Sequence, residues 1–230
     1  MARGRENGGG RGVTPQAVLF DCDGVIVDSE PVGLAHITRA LAALGLDMAP
    51  EAVARLFIGK TLPGVAGMLR AEGHRIPEGW ERATYDALYE KLAEGTPLIP
   101  GIEAVLDALD AGGIRYAIGS NGEMRKMEIT LGQHPGVWAR VKDQLHSARK
   151  TGAPKPDPAV YLRAAEALGV APGACVVVDD SPSGCQAGVA GGMRTLGFAA
   201  GFHSAAALAA VGAEVFSEMR DLPGLLGLAP

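Results

Sequence analysis

Four short apolar runs, separated by segments with helical spacing, constrain the fold of this chain more than any other feature. The runs span residues 17–20, 114–118, 175–178 and 193–198. Their hydrophobicity is continuous rather than alternating, as in Val176-Val177-Val178, which is typical of strands buried on both faces of a parallel sheet. We therefore predict an α/β fold in which helices cover both faces of that sheet.

The segments between these runs have the spacing and the first-turn residues of helices. The predicted helices span residues 101–111, 158–168 and 182–190. Pro158 and Pro182 suit a first helical turn, where the backbone N–H that proline lacks has no partner within the helix. The alternation of strand and helix predicts a Rossmann-like core built on one parallel sheet.

The stretch between residues 31 and 96 interrupts this alternation, because it contains several helical patterns and no convincing strand. Leu34, Ile37, Leu41 and Leu44 recur at helical spacing and predict one apolar stripe. Asp28-Ser29-Glu30-Pro31 has the form of a helix N-cap, and residues 95–97 are rich in turn formers. We predict a flexible N-terminal tail at 1–14, an α/β core domain at 15–30 and 97–230, and a small inserted helical domain at 31–96.

Charge and cysteine content exclude several classes of partner. The net charge is −5 and no dense run of Lys and Arg is present, so we expect no nucleic-acid partner. No segment is long and apolar enough to span a bilayer, and residues 1–12 lack the apolar stretch of a secretory signal. Three cysteines without metal-ligand spacing are typical of reduced thiols. We predict a cytoplasmic protein with no membrane partner, and the sequence leaves its oligomeric state open.

The first predicted strand ends in Asp21-Cys22-Asp23-Gly24, at the sheet edge where open α/β folds bind their ligands. A carboxylate there can attack phosphorus, and a carboxyl two residues later can protonate the departing alkoxide and then activate water. Asp21 and Asp23 suit these two roles. The alternative is an ordinary Asp-Gly turn. A calcium loop is disfavoured, because Val32 occupies the position of its bidentate Glu.

Two further segments offer groups that can hold an anion. Ser120 and Asn121 follow the second predicted strand directly before a polar helix, where a hydroxyl and free backbone N–H groups form an anion site. Lys155 lies between Pro154 and Pro156, which hold the backbone extended and fix the direction of its ammonium. The alternatives are a capping serine and a solvated loop lysine.

The third predicted strand ends in Asp179-Asp180, at the same edge as Asp21. Two like charges about 4 Å apart repel by roughly 4 kcal/mol at an effective dielectric near 20. A divalent cation removes this conflict. Oxygen ligands that share their ion with phosphate oxygens and waters favour Mg²⁺ over a dedicated Ca²⁺ cage, so we predict Mg²⁺ as the cofactor.

Taken together, these motifs resemble the haloacid dehalogenase superfamily, specifically its phosphatase branch with a helical C1-type cap inserted after the first motif. The chain is similar to β-phosphoglucomutase-like and phosphoglycolate phosphatase-like hydrolases over about residues 15–225. The segment from Phe20 to Glu30 resembles the family's first motif, Ser120-Asn121 its second, Lys155 its third and Asp179-Asp180 its fourth.

The resemblance implies a role for each of these residues. Asp21 would be the nucleophile and a Mg²⁺ ligand, and Asp23 the acid and base, with its backbone carbonyl on the metal. Asp180 would bind Mg²⁺ directly, and Asp179 directly or through water. The transferring phosphoryl group would be held by Ser120, the backbone of Asn121 and Lys155.

The resemblance also implies that a loop of the inserted cap, Gly59-Lys60-Thr61, hangs over the active site and contacts the substrate. Gly59 permits a tight loop and Thr61 can cap the helix that follows. Lys60 between them could pair with a carboxylate or hydroxyl of the substrate. A solvated surface lysine is the alternative.

The motifs favour a Mg²⁺-dependent phosphatase that hydrolyses a small phosphorylated metabolite, a sugar phosphate or phosphorylated sugar acid, through an aspartyl phosphate. A dehalogenase would lack Asp23 and need no metal. A phosphosugar mutase resembles this chain more closely but carries His at the place of Gly33 and Arg near Thr61. A phosphoryl-accepting signalling receiver has its acidic pair before the acceptor Asp and no cap. A nucleotide-binding module is disfavoured, because neither a Gly-rich phosphate fingerprint nor a P-loop is present.

Overall fold

The structure is a computed structural model that describes residues 14–57, 61–201 and 203–228. Residues 1–13 of the predicted tail lie outside the described residues, as do Gly59 and Lys60 of the predicted cap loop. Within the described part of the chain, a parallel sheet is surrounded by helices, and four of those helices are inserted after the first strand.

Six parallel strands form one sheet in the order β3-β2-β1-β4-β5-β6. They are β1 (Ala17–Phe20), β2 (Arg115–Ser120), β3 (Leu145–Ser147), β4 (Cys175–Asp179), β5 (Arg194–Phe198) and β6 (Glu214–Phe216). In the central register, Phe20 of β1 pairs with Ile118 of β2 and Val178 of β4. The predicted α/β fold with a Rossmann-like parallel sheet is confirmed. The two edge strands were not predicted, because each has only three residues.

The continuous hydrophobicity of the central strands has a direct structural cause. Successive side chains of a strand point to opposite faces of the sheet. Val18 and Phe20 therefore pack on one face, in a cluster with helices of that side, whereas Ala17 and Leu19 pack on the other face. Because helices cover both faces, every position in β1 is buried and none selects a polar residue.

The helices of the sheet domain follow the strands along the chain. They are α5 (Ile102–Ala111), α6 (Met124–Leu131), α7 (Pro135–Val141), α8 (Ala148–Thr151), α9 (Ala159–Ala167), α10 (Pro182–Ala190), α11 (Ala205–Ala210) and α12 (Leu222–Leu225). The three predicted helices correspond to α5, α9 and α10. Helices α5, α6, α7 and α12 contribute to the apolar cluster on one face, and α9 and α10 contribute to that on the other.

Four helices lie between β1 and α5, and we call them the cap helices. They are α1 (Glu30–Ala42), α2 (Pro50–Phe57), α3 (Leu62–Ala71) and α4 (Trp80–Glu94). An apolar cluster of their own includes the buried Leu41, Val53 and Val65, with Leu34, Ile37 and Leu44 packed against it. The predicted apolar stripe therefore lies in this cluster. The division of the chain into two domains stays a prediction.

Helix α1 begins where the sequence predicts, but Ser29 does not cap it by a side-chain hydrogen bond. Pro31 lies in the first turn and has no N–H to donate. The Ser29 hydroxyl instead donates to Oδ1 of Asp23. Ser29 therefore occupies the predicted N-cap position, and a charged acceptor in the site takes its hydroxyl.

The cap helices contact the sheet domain through α6. Ile129 of α6 packs against the cluster of Leu88, Tyr89 and Leu92 on α4. The amide of Gln133 spans the same junction, because Nε2 donates to the Leu92 carbonyl at 2.8 Å and Oε1 accepts from the Thr96 N–H at 2.9 Å. The helix that follows β2 is therefore held both by the sheet and by the cap.

Among the described residues, no single helix has both the length and the apolar composition needed to cross a bilayer. Helices α2 and α3 meet the length and composition criteria only when taken together, and they are bent by 101° at the break between them.

Candidate active site

The carboxylates predicted to share a cation come together at one edge of the sheet. Asp21 follows β1 and Asp179 ends β4, and these strands are neighbours in the sheet. Asp21, Asp179 and Asp180 each offer an oxygen, and the three oxygens lie within 4.8 Å of one another. The structure therefore places on one side of the sheet the acidic residues that the sequence predicts there.

Gly24 makes room for this cluster. Its φ of +74° lies in the left-handed region that glycine tolerates, and a Cβ atom there would collide with the carboxylate of Asp180. The glycine of the Asp-Gly pair therefore does more than make a turn. It allows the loop after β1 to approach the loop after β4 closely.

Asp179 is fully buried and accepts hydrogen bonds on both oxygens. Its Oδ1 accepts from the N–H of Ser181 at 2.9 Å and from the Ser181 hydroxyl at 2.7 Å. Its Oδ2 accepts from the Lys155 ammonium at 2.8 Å and the Tyr161 hydroxyl at 2.5 Å. Burial acts to raise the pKa of Asp179, but the Lys155 charge and these hydrogen bonds outweigh it and lower that pKa. Asp179 is therefore held ionised.

Lys155 is buried, and its ammonium contacts three acceptors. Nζ lies 2.8 Å from Oδ1 of Asp21, 2.8 Å from Oδ2 of Asp179 and 2.7 Å from the Tyr161 hydroxyl. Burial opposes its charge, but the two carboxylates prevail and raise the pKa of Lys155. The peptide bond between Lys155 and Pro156 is cis. A buried ammonium aimed at Asp21 is not the solvated loop lysine of the alternative interpretation.

The side chain of Asn121 holds the Lys155 loop in place. Its Oδ1 accepts the backbone N–H of Lys155 at 2.8 Å. The resemblance predicted a phosphate contact from Asn121, and the structure adds a contact of the side chain that joins the second and third motifs. The two motifs are therefore positioned relative to each other by one hydrogen bond.

Tyr161 is a site residue that the sequence analysis missed. It lies on α9, is fully buried, and its hydroxyl connects Lys155 to Asp179. The Lys155 ammonium also lies 4.5 Å from the centre of the Tyr161 ring. Position 161 has the spacing of an apolar core residue in α9, so the pattern predicts burial but not the role of the hydroxyl.

Ser120 is buried at the end of β2, and its Oγ accepts the N–H of Gly122 at 3.0 Å. A Cβ atom on Gly122 would lie 3.2 Å from Ser120 Oγ and 3.8 Å from Oδ2 of Asp23. Ser120 and Asp23 therefore border the same space. The hydroxyl does not cap α6, so the capping alternative does not apply to Ser120; Glu123 occupies the N-cap position.

Asp23 lies outside the cluster of three carboxylates and forms an ion pair with a different lysine. Its Oδ1 lies 2.7 Å from Nζ of Lys126 and also accepts the Ser29 hydroxyl. Burial acts to raise the pKa of Asp23, but Lys126 and the Ser29 hydrogen bond prevail and lower it. Lys126 and Ser29 were not predicted as site residues, because a single lysine on a polar helix gives no signal in the sequence.

A fourth acidic group, Glu30, borders the site and was also missed. A Cβ atom on Gly201 would lie 3.2 Å from Oε2 of Glu30 and 3.4 Å from Oδ2 of Asp180. Burial and the charges of Asp23, Asp28 and Asp21 raise the pKa of Glu30 to about 7. Its position at the start of α1 gave the sequence analysis a helix signal only.

The three clustered carboxylates suit a hard divalent cation. Burial and the neighbouring carboxylates raise the pKa of Asp180, and burial with the charges of Asp179 and Asp23 raises that of Asp21. Both shifts have the same physical cause, because burial and neighbouring negative charges disfavour the ionised carboxylates. Since Mg²⁺ prefers oxygen ligands and shares them with phosphate oxygens and waters, the residues present fit the ion.

Of the predicted cap-loop residues, Thr61 is described and Gly59 and Lys60 are not. Thr61 is the N-cap of α3, and its Oγ1 accepts the N–H of Gly64 at 3.3 Å. This agrees with the capping function that the sequence suggests for it. Contact of Gly59-Lys60-Thr61 with a substrate stays a prediction.

Comparison with known proteins places this chain in a family. A model of the haloacid dehalogenase-like hydrolases matches residues 15–192. The 6-phosphogluconate phosphatase of Escherichia coli (strain K12) is 31% identical over 191 residues, which cover 82% of this chain and 85% of that protein. Hexitol phosphatase A of the same strain is 31% identical over 180 residues, which cover 77% and 80%.

A solved structure gives the same result. A HAD family hydrolase from Deinococcus radiodurans R1, with bound phosphate and sodium, is 31% identical and superposes with a TM-score of 0.79, covering 94% of this chain and 99% of that one. The chain therefore belongs to the haloacid dehalogenase-like hydrolase family, and the family resemblance of its motifs is confirmed.

Proposed function

We propose that this protein is a Mg²⁺-dependent phosphatase that hydrolyses a small phosphorylated sugar or sugar acid through an aspartyl phosphate on Asp21. One observation carries the proposal: the Asp21 carboxylate has an oxygen within 4.8 Å of oxygens of Asp179 and Asp180, and it also accepts a hydrogen bond from the buried ammonium of Lys155. A nucleophilic carboxylate with cationic groups beside it is suited to attack on a phosphoryl dianion, which would otherwise be repelled.

In the first step, an oxygen of Asp21 attacks phosphorus and the bond from phosphorus to the leaving oxygen breaks. Asp23 gives a proton to that oxygen, and the product alcohol departs. The low pKa of Asp23 belongs to the protein without a phosphoryl group. A phosphoryl dianion beside Asp23 raises its pKa, because a like charge disfavours the ionised form.

In the second step, water attacks the phosphorus of the acyl phosphate. Asp23, now a carboxylate, accepts a proton from that water, and the bond between phosphorus and the Asp21 oxygen breaks. Inorganic phosphate leaves and Asp21 is regenerated. The two steps return both carboxyl groups to their starting states.

The phosphoryl group would be held by the residues that border this space. Ser120 Oγ and the backbone N–H groups after it can donate to phosphate oxygens, and Lys155 supplies a positive charge. All three N–H donors of the Lys155 ammonium already have acceptors. A phosphate oxygen must therefore compete with one of these acceptors or share a donor with it.

Asp21 and Asp180 would hold Mg²⁺ with their carboxylates, Asp23 would contribute its backbone carbonyl, and Asp179 would bind directly or through water. When bound, the ion offsets the clustered negative charge and orients the phosphate oxygens. Both oxygens of Asp179 already accept hydrogen bonds, whereas Asp180 has no donor among the described residues. The open carboxylate of Asp180 is therefore the stronger candidate for direct ligation.

The names of two relatives support the proposed substrate class. Two relatives are named as phosphatases of 6-phosphogluconate and of hexitol phosphates. A cleft of about 430 Å³ is lined on the cap side by Tyr85 and Tyr89 and on the sheet side by Glu123, Arg125 and Arg149. Such a lining can hydrogen-bond hydroxyl and carboxylate groups.

Purified protein assayed on a panel of phosphorylated sugars and sugar acids tests this proposal. We expect hydrolysis in Mg²⁺, loss of turnover in excess EDTA, and loss of turnover in Asp21→Asn, whose amide is similar in shape but a poor nucleophile. Full activity in EDTA would refute the metal assignment. Undiminished hydrolysis by Asp21→Asn would remove Asp21 from the nucleophilic role.

A further inference from the structure

Lys126 lies outside every predicted motif and contacts the carboxylate that the proposed function uses as acid and base. Its Nζ is 2.7 Å from Oδ1 of Asp23, and its side chain is only 21% exposed. A Cβ atom on Gly122 would lie 3.8 Å from Lys126 Cδ, from which the side chain extends to Asp23. The ammonium is therefore part of the site rather than of the solvated face of α6.

The contacts to Asp23 all fall on one of its two oxygens. Oδ1 accepts from Lys126 and from the hydroxyl of Ser29. Oδ2 has no donor among the described residues, and it lies on the side of Gly122 and Ser120. An oxygen without a donor is the one that can deliver or accept a proton.

Helix α6 keeps this lysine in a fixed position. Met127 and Leu131 are buried in the apolar cluster under the sheet, and Ile129 packs against the cap helix α4. Burial of this kind on two sides restricts the movement of a helix. Nζ of Lys126 is therefore a defined point against which a short, mobile aspartate can be oriented.

We propose that Lys126 is a positioning residue for the reaction: it binds Oδ1 of Asp23 and so turns Oδ2 toward the leaving oxygen and the attacking water. This inference rests on the proposed function. Ser29 alone, with one donor, leaves the carboxylate free to rotate about that single hydrogen bond. Two donors on the same oxygen fix the plane of the carboxylate.

The dependence of the rate on the leaving group distinguishes a positioning role of Lys126 from a structural role and from a role in binding the substrate. Alkyl phosphates need a proton on the leaving oxygen, whereas p-nitrophenyl phosphate leaves as a stable anion and needs little acid catalysis. A lysine that only stabilised the fold would affect both classes of ester equally. A lysine that bound a carboxylate of the substrate would affect only an acidic ester.

The experiment uses Lys126→Met on three esters: 6-phosphogluconate, sorbitol 6-phosphate and p-nitrophenyl phosphate. We expect kcat to fall by about 10- to 100-fold on both alkyl esters, with KM changed by less than about threefold, and to stay within about twofold on p-nitrophenyl phosphate. Lys126→Arg keeps a cation and should recover most of the loss. Lys142→Met, an exposed lysine of the same domain, is the matched control and should behave as wild type.

A double-mutant cycle completes the test. If Lys126 acts through Asp23, the variant carrying both Asp23→Asn and Lys126→Met should be no slower on the alkyl esters than Asp23→Asn alone. Additive losses would overturn the proposal, as would equal losses on all three esters or a loss confined to 6-phosphogluconate. Wild-type protein that hydrolyses none of the three esters would overturn the proposed function, and this inference with it.

Discussion

Asp180→Asn should stabilise the metal-free protein while it removes the response to Mg²⁺. Asp180 is 5% exposed, and its carboxylate faces those of Asp21 and Asp179, with the oxygens within 4.8 Å. At that distance one pair of like charges repels by roughly 3 kcal/mol at an effective dielectric of 20. The ammonium of Lys155 cancels about one of the two negative charges of Asp21 and Asp179. The net repulsion on the Asp180 carboxylate is therefore about that of a single pair of like charges.

Relaxation of the site reduces this value, and we expect Asp180→Asn to raise the free energy of unfolding by roughly 1–3 kcal/mol in EDTA. About 1 kcal/mol corresponds to about 2–4 °C in Tm for a chain of this size, so Tm should rise by roughly 2–12 °C. At the upper end, about 3 kcal/mol at about 4 °C per kcal/mol corresponds to a rise of about 12 °C. Thermal unfolding followed by circular dichroism measures the change. The exposed Asp143→Asn is the control and should leave Tm within about 1 °C.

The same variant should lose the stabilisation that Mg²⁺ gives. An ion that binds only the folded state raises Tm with its concentration, so wild-type protein should be stabilised by Mg²⁺ and Asp180→Asn should not. The account would be refuted if the variant were less stable than wild type in EDTA. Equal stabilisation of both proteins by Mg²⁺ would refute it as well.

Three further predictions follow from the site. Tyr161→Phe removes a hydroxyl that contacts Lys155 and Asp179. We expect the free energy of unfolding to fall by roughly 1–3 kcal/mol and kcat to fall about 10-fold. Denaturation and steady-state kinetics measure these changes, and unchanged values would contradict the prediction. Gly24→Ala should lower the free energy of unfolding by at least about 1–3 kcal/mol, because the φ of Gly24 is positive and a Cβ would collide with Asp180. Gly33→Ala should be neutral or stabilising, because Gly33 lies in a helix with open space around it. Denaturation measures both variants, and equal effects would contradict this prediction. A coupled assay should detect no appreciable interconversion of β-glucose 1-phosphate and glucose 6-phosphate, because position 33 is not His; efficient turnover would overturn the hydrolase preference.

The central strands could be predicted because their burial leaves a pattern in the sequence. Residues in β1 and β4 face apolar clusters on both sides, and every position is hydrophobic up to the first aspartate. The edge strand β3 has only three residues, with His146 in the middle, and β6 has the exposed Glu214 and Val215. A segment this short and this polar has the same sequence pattern as a loop.

The site could be predicted where its residues follow strands, since the ends of neighbouring parallel strands meet at one edge. Asp21, Ser120 and Asp179 are of this kind. Tyr161, Lys126 and Glu30 instead lie on helices, and their functional atoms reach the site only through the way those helices pack. Helical spacing predicts which face of a helix is buried. It does not predict which polar atom at the edge of that face contacts a carboxylate.

The same limit explains why the partner of the Ser29 hydroxyl could not be predicted. Its position before Glu30-Pro31 has the form of an N-cap, and local sequence alone favours a bond to the helix backbone. The carboxylate of Asp23, brought near by the loop after β1, is the stronger acceptor. A tertiary contact with a charged group therefore replaces the local hydrogen bond.

Chemical trapping of the phosphorylated enzyme tests the central claim most directly. Protein turning over 6-phosphogluconate in Mg²⁺ is quenched with acid and treated with borohydride, which reduces an acyl phosphate to an alcohol, and its peptides are analysed by mass spectrometry. We predict homoserine at position 21 during turnover, and none in EDTA or in Asp21→Asn. Turnover that leaves position 21 unmodified, or a reduced aspartate at another position, would contradict the account.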